Sequence, residues 1–274
     1  MERPREFVFD IPARPGIAIR DNADGPPAVP KDSATVILLR DAVPGIEVFL
    51  QHRVKGMAFA GGMTVFPGGG VDPRDADASV AWAGPPASWW AEQFTCDEGL
   101  ARALVCAAVR ETFEESGVLL AGTEDAVVAD VTPYHEARKA LESREISLAG
   151  FLAEAGLTLR ADLLHPYSHW VTPPQEKRRY DTRFFVAKLP EGQRADGATS
   201  EAVEAGWQPP AEAVQDARDG RRGLMPPTWL TLVELAEFSS ADAVLREPRE
   251  IVKTVPTLVR DGETIRVVLD PSES

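Results

Sequence analysis

The sequence predicts an α+β protein, read as an α/β/α sandwich on a mixed sheet. Three observations point there. Short β-branched apolar runs alternate, in irregular order, with longer stretches of helical period. Gly- and Pro-rich segments punctuate them. The 274 residues, 44% hydrophobic and 26% charged, suffice for a sizeable core.

Residues 1–33, rich in Pro, Gly and Asp, read as an irregular lead-in. Residues 34–39 (ATVILL) are a buried strand, Pro44-Gly45 a turn, and residues 46–50 (IEVFL) a second strand. Glycines follow at Gly56, Gly61-Gly62 and Gly68-Gly69-Gly70. Residues 76–98 read as a loop-rich insertion with Gly84-Pro85-Pro86. Its Trp82, Trp89 and Trp90 either line a pocket for adenine or an acyl chain, or bury the insertion against the domain. Residues 99–116 are the strongest helix. Taking Glu111 as zero and about 100° per residue, Val105, Cys106, Val109 and Phe113 fall near 120–220°, with Glu111, Glu114 and Glu115 on the opposite side. Gly117 supplies the stop. A second helical region covers about 134–155; strands follow at 165–171, 180–189 and 201–207, then helices near 210–218 and 228–246. A hairpin of 257–260 and 265–268 turns at Asp261-Gly262. The expected organisation is a single domain over 1–274, with 76–102 inserted and 226–274 as a C-terminal extension.

With 29 Lys+Arg against 43 Asp+Glu, the formal charge is −14. Such a chain is a poor nucleic-acid binder, because phosphate backbones select a surplus of Lys and Arg. It still accepts a phosphate substrate where a divalent cation supplies the positive charge. The best apolar run, residues 103–109, is far short of a membrane span. No secretory h-region follows the N-terminus, and Ser272-Glu273-Ser274 is not a peroxisomal address. Cys96 and Cys106 make neither a disulfide framework nor a zinc site, and the four histidines lack metal-ligand spacing. A reducing cytoplasm is the expected setting, without membrane or nucleic-acid partners; a homodimer stays open.

The chemistry concentrates in Arg110-Glu111-Thr112-Phe113-Glu114-Glu115-Ser116-Gly117. Glu111, Glu114 and Glu115 at i, i+3 and i+4 cluster three negative charges on one helix face, which repel unless a cation sits among them. Oxygen donors select hard divalent ions, so Mg²⁺ or Mn²⁺ is expected. Arg110, four residues before Glu114, holds that carboxylate, and Ala107 and Ala108 leave room for a ligand one turn earlier. Alone, E-x-x-E-E reads more simply as a solvated acidic face. The stretch Val65-Phe66-Pro67-Gly68-Gly69-Gly70 changes that reading: a strand ends in glycines, where bare backbone approaches an ion or phosphate.

Phe-Pro-Gly-Gly upstream of Arg-Glu-x-x-Glu-Glu-x-Gly resembles the Nudix hydrolase family, whose box reads G-x5-E-x7-R-E-U-x-E-E-x-G-U, with U aliphatic. Gly69 opens the box, and residues 110–118 match its end except that Thr112 replaces an aliphatic residue. Asp75 stands at the first acidic position, and residues 76–109 separate it from Arg110 where the box has only seven positions. An interrupted box is similar to that of the acyl-coenzyme A diphosphatase branch. His169-Trp170-Val171-Thr172-Pro173, residues 179–185 (RYDTRFF) and residues 201–213 extend the likeness to about 34–235. Arg53, Gly62 and Phe66 stand in register with the motif L-L-T-x-R-(S/A)-x3-R-x3-G-x3-F-P-G-G, while Ala58 replaces its second Arg.

The resemblance implies a Nudix sandwich in which Glu111, Glu114, Glu115 and the Gly68 carbonyl hold Mg²⁺ or Mn²⁺. It implies a further carboxylate outside the box, Glu201 or alternatively Glu204. Arg53, Gly69 and Gly70 are implied to meet substrate. Arg179 and Arg183 bracket Asp181 and either clamp phosphates or form a cross-strand salt bridge. The implied substrate is a nucleoside diphosphate derivative: coenzyme A or acyl-CoA, cut to 3′,5′-ADP and (acyl)phosphopantetheine. The alternatives are ADP-ribose, a dinucleotide or an oxidised nucleotide, or a non-catalytic Nudix-fold sensor.

Overall fold

The computed structural model describes residues 9–12, 26–56, 60–123, 125–199, 202–261 and 264–269. In chain order the first strands are Phe9–Pro12 (β1), Lys31–Asp41 (β2), Ile46–Arg53 (β3), Thr64–Val65 (β4), Gly68–Gly70 (β5) and Trp82–Ala83 (β6). Helices Ala87–Phe94 (α1) and Glu98–Ser116 (α2) follow, then Ala121–Gly122 (β7), His135–Glu142 (α3), Leu148–Ala155 (α4), Thr158–Arg160 (β8), His165–Val171 (β9), Tyr180–Lys188 (β10) and Ala202–Gln208 (β11). The rest comprises Pro210–Arg218 (α5), Pro226–Leu235 (α6), Ala241–Arg246 (α7), Lys253–Thr254 (β12), Thr257–Asp261 (β13) and Thr264–Val268 (β14).

The central sheet runs β11-β3-β2-β10-β9-β12, with β4 beside β3 and β5 beside β2. β2 and β10 pair in parallel, as do β9 and β12, while β2–β3, β9–β10 and β3–β11 are antiparallel. Successive strand residues face opposite ways, and both faces are buried. Ala34, Val36, Leu38, Phe185 and Ala187 join the core formed with α1, α2 and α4. Ile37, Leu39, Phe184 and Val186 join the core formed with α5, α6 and α7. The result is the expected α/β/α sandwich. Among the described residues, no helix is long and apolar enough to cross a membrane.

The structure corrects several expectations. Residues 76–98 are not merely loop: they contain α1, and Trp90 on it is fully buried against Phe94 and Phe185. Trp82 and Trp89 pack on the same core. Two open clefts beside α1, of about 530 and 500 Å³, are lined by residues such as Glu92, Thr95 and Arg249 and by none of the three tryptophans. Burial of the insertion against the domain accounts for Trp90 and for the packed faces of Trp82 and Trp89. Residues 134–155 divide into α3 and α4 because Arg144 adopts φ +62° and Ser147 caps a new helix through the Gly150 amide. Residues 228–246 divide likewise, with Ser240 capping α7. The C-terminal hairpin forms as β13 and β14, and β1 pairs with β14, so the lead-in over 1–33, expected to be irregular, contains a strand at 9–12 and the start of β2 at Lys31; the hairpin's turn at Gly262 lies outside the described residues.

Candidate active site

Helix α2 carries the predicted carboxylates. Asp97 caps its start by accepting from the Leu100 amide, and Gly117 ends it at φ +72°. It is buried almost all round: Ala107 and Ala108, expected to leave ligand room, are core residues with no exposure. Its acidic face meets β5, which β2 holds through the pairs Thr35–Gly68, Ala34–Gly69 and Ser33–Gly70. The close approach needs glycine at position 69: an ideal Cβ there would lie 2.5 Å from Glu111 Oε1. The Gly68 amide donates to Glu115 Oε2 at 2.8 Å. The expected Gly68 ligand was its carbonyl; the contact seen is through its N–H.

Arg110 organises the other carboxylates. Its Nη1 pairs with Glu111 Oε1 at 2.7 Å and Glu114 Oε2 at 3.2 Å, and its Nη2 donates to the Gly70 carbonyl at 3.0 Å. Nε and Nη2 also donate to Asp75, at 3.0 Å to Oδ1 and 2.9 Å to Oδ2. Asp75 therefore buries its carboxylate against Arg110, and residues 35 apart in sequence close the base of the excursion between them. Burial pushes the Glu111 carboxyl up to about 7; Arg110 opposes the shift, while Glu114 and Asp75 reinforce it. Burial also raises Glu114, again against Arg110.

Among the described residues, no three His, Cys, Asp or Glu side chains converge as a preformed cation cage. Glu111 and Glu114 lean on Arg110, and Glu115 leans on the Gly68 amide. The donor set still suits a hard divalent cation: three carboxylates on adjacent turns, backed by a bare glycine cradle. Burial beside Glu114 and Asp75 disfavours the charged form of Glu111, a penalty that a cation among the carboxylates offsets.

The remaining expectations divide. Arg53 ends β3 two residues beyond Gln51, hence on the same face, and Gln51 bonds the Glu115 carbonyl. Glu204 pairs with His52 on the opposite face and is exposed, so register turns it away from α2. Glu201 lies outside the described residues, as does Ala58. Arg183 is 5% exposed, and its Nη1 pairs with Asp32 and Asp181, each at 2.7 Å. Arg179 donates to the Thr172 and Ala28 carbonyls. For Arg183 this is the cross-strand salt bridge of the two expected alternatives, because a guanidinium buried between β2 and β10 requires those carboxylates. His169 bonds Asp181 Oδ1 at 2.6 Å. Sequence reasoning does not reach Gln51 or Arg138, which bond carbonyls of α2. The available signal was a Gln directly after the apolar run Val48-Phe49-Leu50, which burial obliges to find a partner.

Fold and site together define a sandwich that presents buried carboxylates to a glycine strand. Comparison with known proteins gives the family. A family model described as the NUDT19 Nudix domain matches residues 91–235, more than half of the chain. A Caenorhabditis elegans protein named as nudix hydrolase 7 is 28% identical over 198 residues, covering 71% of this chain and 57% of that protein. Acyl-coenzyme A diphosphatase NUDT19 of Gallus gallus is 26% identical over 237 residues, covering 71% and 62%. The chain spans about six-tenths of the length of these curated relatives. A crystal structure of a NUDIX hydrolase from Alicyclobacillus acidocaldarius superposes with a TM-score of 0.69 at 25% identity, covering 81% of this chain and 98% of that one. The chain belongs to the Nudix family.

Proposed function

We propose that the protein hydrolyses the diphosphate bond of coenzyme A or an acyl-CoA, giving 3′,5′-ADP and (acyl)phosphopantetheine, with Mg²⁺ or Mn²⁺ as cofactor. The observation that carries the reading is the set Glu111, Glu114 and Glu115 gathered against the glycine strand. The relative named as an acyl-coenzyme A diphosphatase supports the choice of substrate.

Glu111, Glu114 and Glu115 are the groups to hold the cation, with the Gly68 carbonyl as a further ligand. A cation held by them would supply charge to offset that of the diphosphate and would make an attacking water more acidic. Arg110 orients Glu111 and Glu114 and is itself oriented by Asp75. The Gly68 amide orients Glu115, and Gly69 leaves Glu111 its place. Gly69 and Gly70 offer bare backbone to the substrate. Displacement at phosphorus asks little covalent chemistry of the protein, so positioning and charge neutralisation dominate. Glu201 is the proposed additional carboxylate, and Arg53 the cation that meets the 3′-phosphate. The reading treats 1–274 as one domain, with 76–102 inserted and 226–274 as an extension, working in the reducing cytoplasm.

The 3′-phosphate is the discriminator, since dephospho-CoA lacks only that group. The kcat/KM values for coenzyme A, dephospho-CoA and ADP-ribose are expected to fall in that order, and Arg53→Ala to compress the first gap. ADP-ribose as the best substrate overturns the coenzyme A reading and leaves the diphosphatase reading standing.

A further inference from the structure

The last four carbonyls of an α-helix have no partner within the helix. In α2 each finds one. Phe113 O accepts from the Gly117 amide at 3.0 Å, and Ser116 O from the Asp196 amide at 2.9 Å. Glu114 O accepts from Arg138 Nε at 3.0 Å, and Glu115 O from Gln51 Nε2 at 3.0 Å. Only the first is a local cap. The other three come from β3, from α3 and from the segment after β10. The two side-chain donors address the backbone of the very residues whose carboxylates make the site.

Both donors are enclosed: Gln51 is 1% exposed and Arg138 5%. Arg138 Nη1 is held in turn by Asp196 Oδ1 at 2.8 Å and Oδ2 at 3.0 Å. Gly117 makes room for this bracket, since a Cβ there would meet Arg138 Nη1 at 2.8 Å and Asp196 Oδ2 at 3.0 Å. A buried cation at the helix C-terminus also opposes the negative end of the helix dipole. Glu115 is thus fixed at both ends, by Gln51 on its carbonyl and by the Gly68 amide on its carboxylate.

We propose that Arg138 and Gln51 are positioning residues that clamp the last turn of α2, setting its rotation so that Glu114 and Glu115 present their carboxylates together. The proposal rests on the cation-dependent reading of the site. Side-chain tips stand about 5–6 Å from a helix axis, so a turn of about 20° carries a carboxylate about 2 Å. Misplacement of about 1 Å can cost about 10²-fold. Groups that orient ligands from behind typically contribute about 10–100-fold in metal affinity or activity.

The test compares Arg138→Met and Gln51→Met with Asp97→Ala, which loosens the opposite end of the same helix. Mn²⁺ affinity is measured by electron paramagnetic resonance, and amide exchange is followed over residues 113–117. Both clamp variants are expected to lose about tenfold or more in Mn²⁺ affinity and to exchange faster over 113–117. Asp97→Ala is expected to retain wild-type affinity within about twofold, because a distant cap leaves the ligands in place. Gln51→Met nearly conserves volume and keeps the test valid should Arg138→Met not fold. Wild-type Mn²⁺ affinity in the clamp variants, or an equal loss in Asp97→Ala, overturns the proposal. A wild-type chain that binds no Mn²⁺ sinks the cation-dependent reading instead; the clamp then stands only if exchange over 113–117 rises in the clamp variants alone, and falls otherwise.

Discussion

Alanine at each of the three consecutive glycines of β5 separates fold from chemistry within one strand. At Gly69, the new methyl carbon would lie 2.5 Å from Glu111 Oε1 and 2.6 Å from Cδ and Oε2. Non-bonded carbon contacts sit near 3.5–4 Å, so the carboxylate must retreat by about 1 Å. It is the end of a flexible side chain, so the fold tolerates the move, but a displacement of that size in a ligand predicts about a 10²-fold fall in kcat/KM. At Gly68, the added carbon would meet the Ala34 carbonyl oxygen at 2.5 Å and Thr35 Cα at 2.7 Å. Backbone must shift there, which predicts destabilisation of about 1–3 kcal/mol. At Gly70, nothing lies within 4 Å; Gly70→Ala is expected to keep the wild-type thermal midpoint, so that any fall in its kcat/KM reports the methyl meeting substrate rather than the fold. Thermal midpoints and kcat/KM for the three variants check the series. A Gly69→Ala protein of normal Tm and normal activity refutes the placement of Glu111 as a ligand.

Two further outcomes follow from the pKa shifts. Glu111 titrates at about 7 in the folded chain against its ordinary 4.5, so the cation-free protein gains stability as pH falls from 7 towards 4.5 and loses it as pH rises through 7. Cation binding at pH 6 should therefore release close to one proton, and none above pH 8, as seen by calorimetry in buffers of different ionisation enthalpy; pH-independent release contradicts this. Burial pushes the Cys106 thiol up to about 12 and raises that of Cys96 as well. At pH 8 the native chain should leave Cys106 unmodified by a thiol-directed alkylating reagent, whereas the denatured chain reacts at both cysteines; mass mapping of the adducts distinguishes the cases.

What the sequence makes legible is what is encoded locally. Helix α2 announces itself through its apolar side, its Gly117 stop and its carboxylate spacing, and β9 and α5 fall where their patterns place them. Helix α1 hides because Pro86 precedes it and its aromatics bury it on Phe185, a residue far along the chain. Arg183 reads from the sequence as a phosphate ligand with an alternative; only the parallel pairing of β10 with β2 brings Asp32 beside it and decides for the salt bridge. The placement of Glu204 is hidden for a similar reason. A register shift between Ala202 and Glu204 sets which face it takes, and no composition rule reveals that shift. Asp75 is the opposite case: an acidic position displaced by an insertion, yet placed by the fold directly on Arg110.

The most direct test of the account is the hydrolysis of coenzyme A at limiting Mn²⁺ by the wild-type chain and by Glu115→Gln. Glu115 is buried and keeps its backbone bond to Gln51, and a glutamine in its place can still accept from the Gly68 amide through its carbonyl oxygen while losing the charge. Removing one key electrostatic group typically costs about 10²–10³ in rate. The account predicts cation-dependent turnover by the wild type, a fall of that order in Glu115→Gln and an unchanged thermal midpoint. Equal turnover by the two proteins, or wild-type turnover that persists in excess chelator, would contradict it.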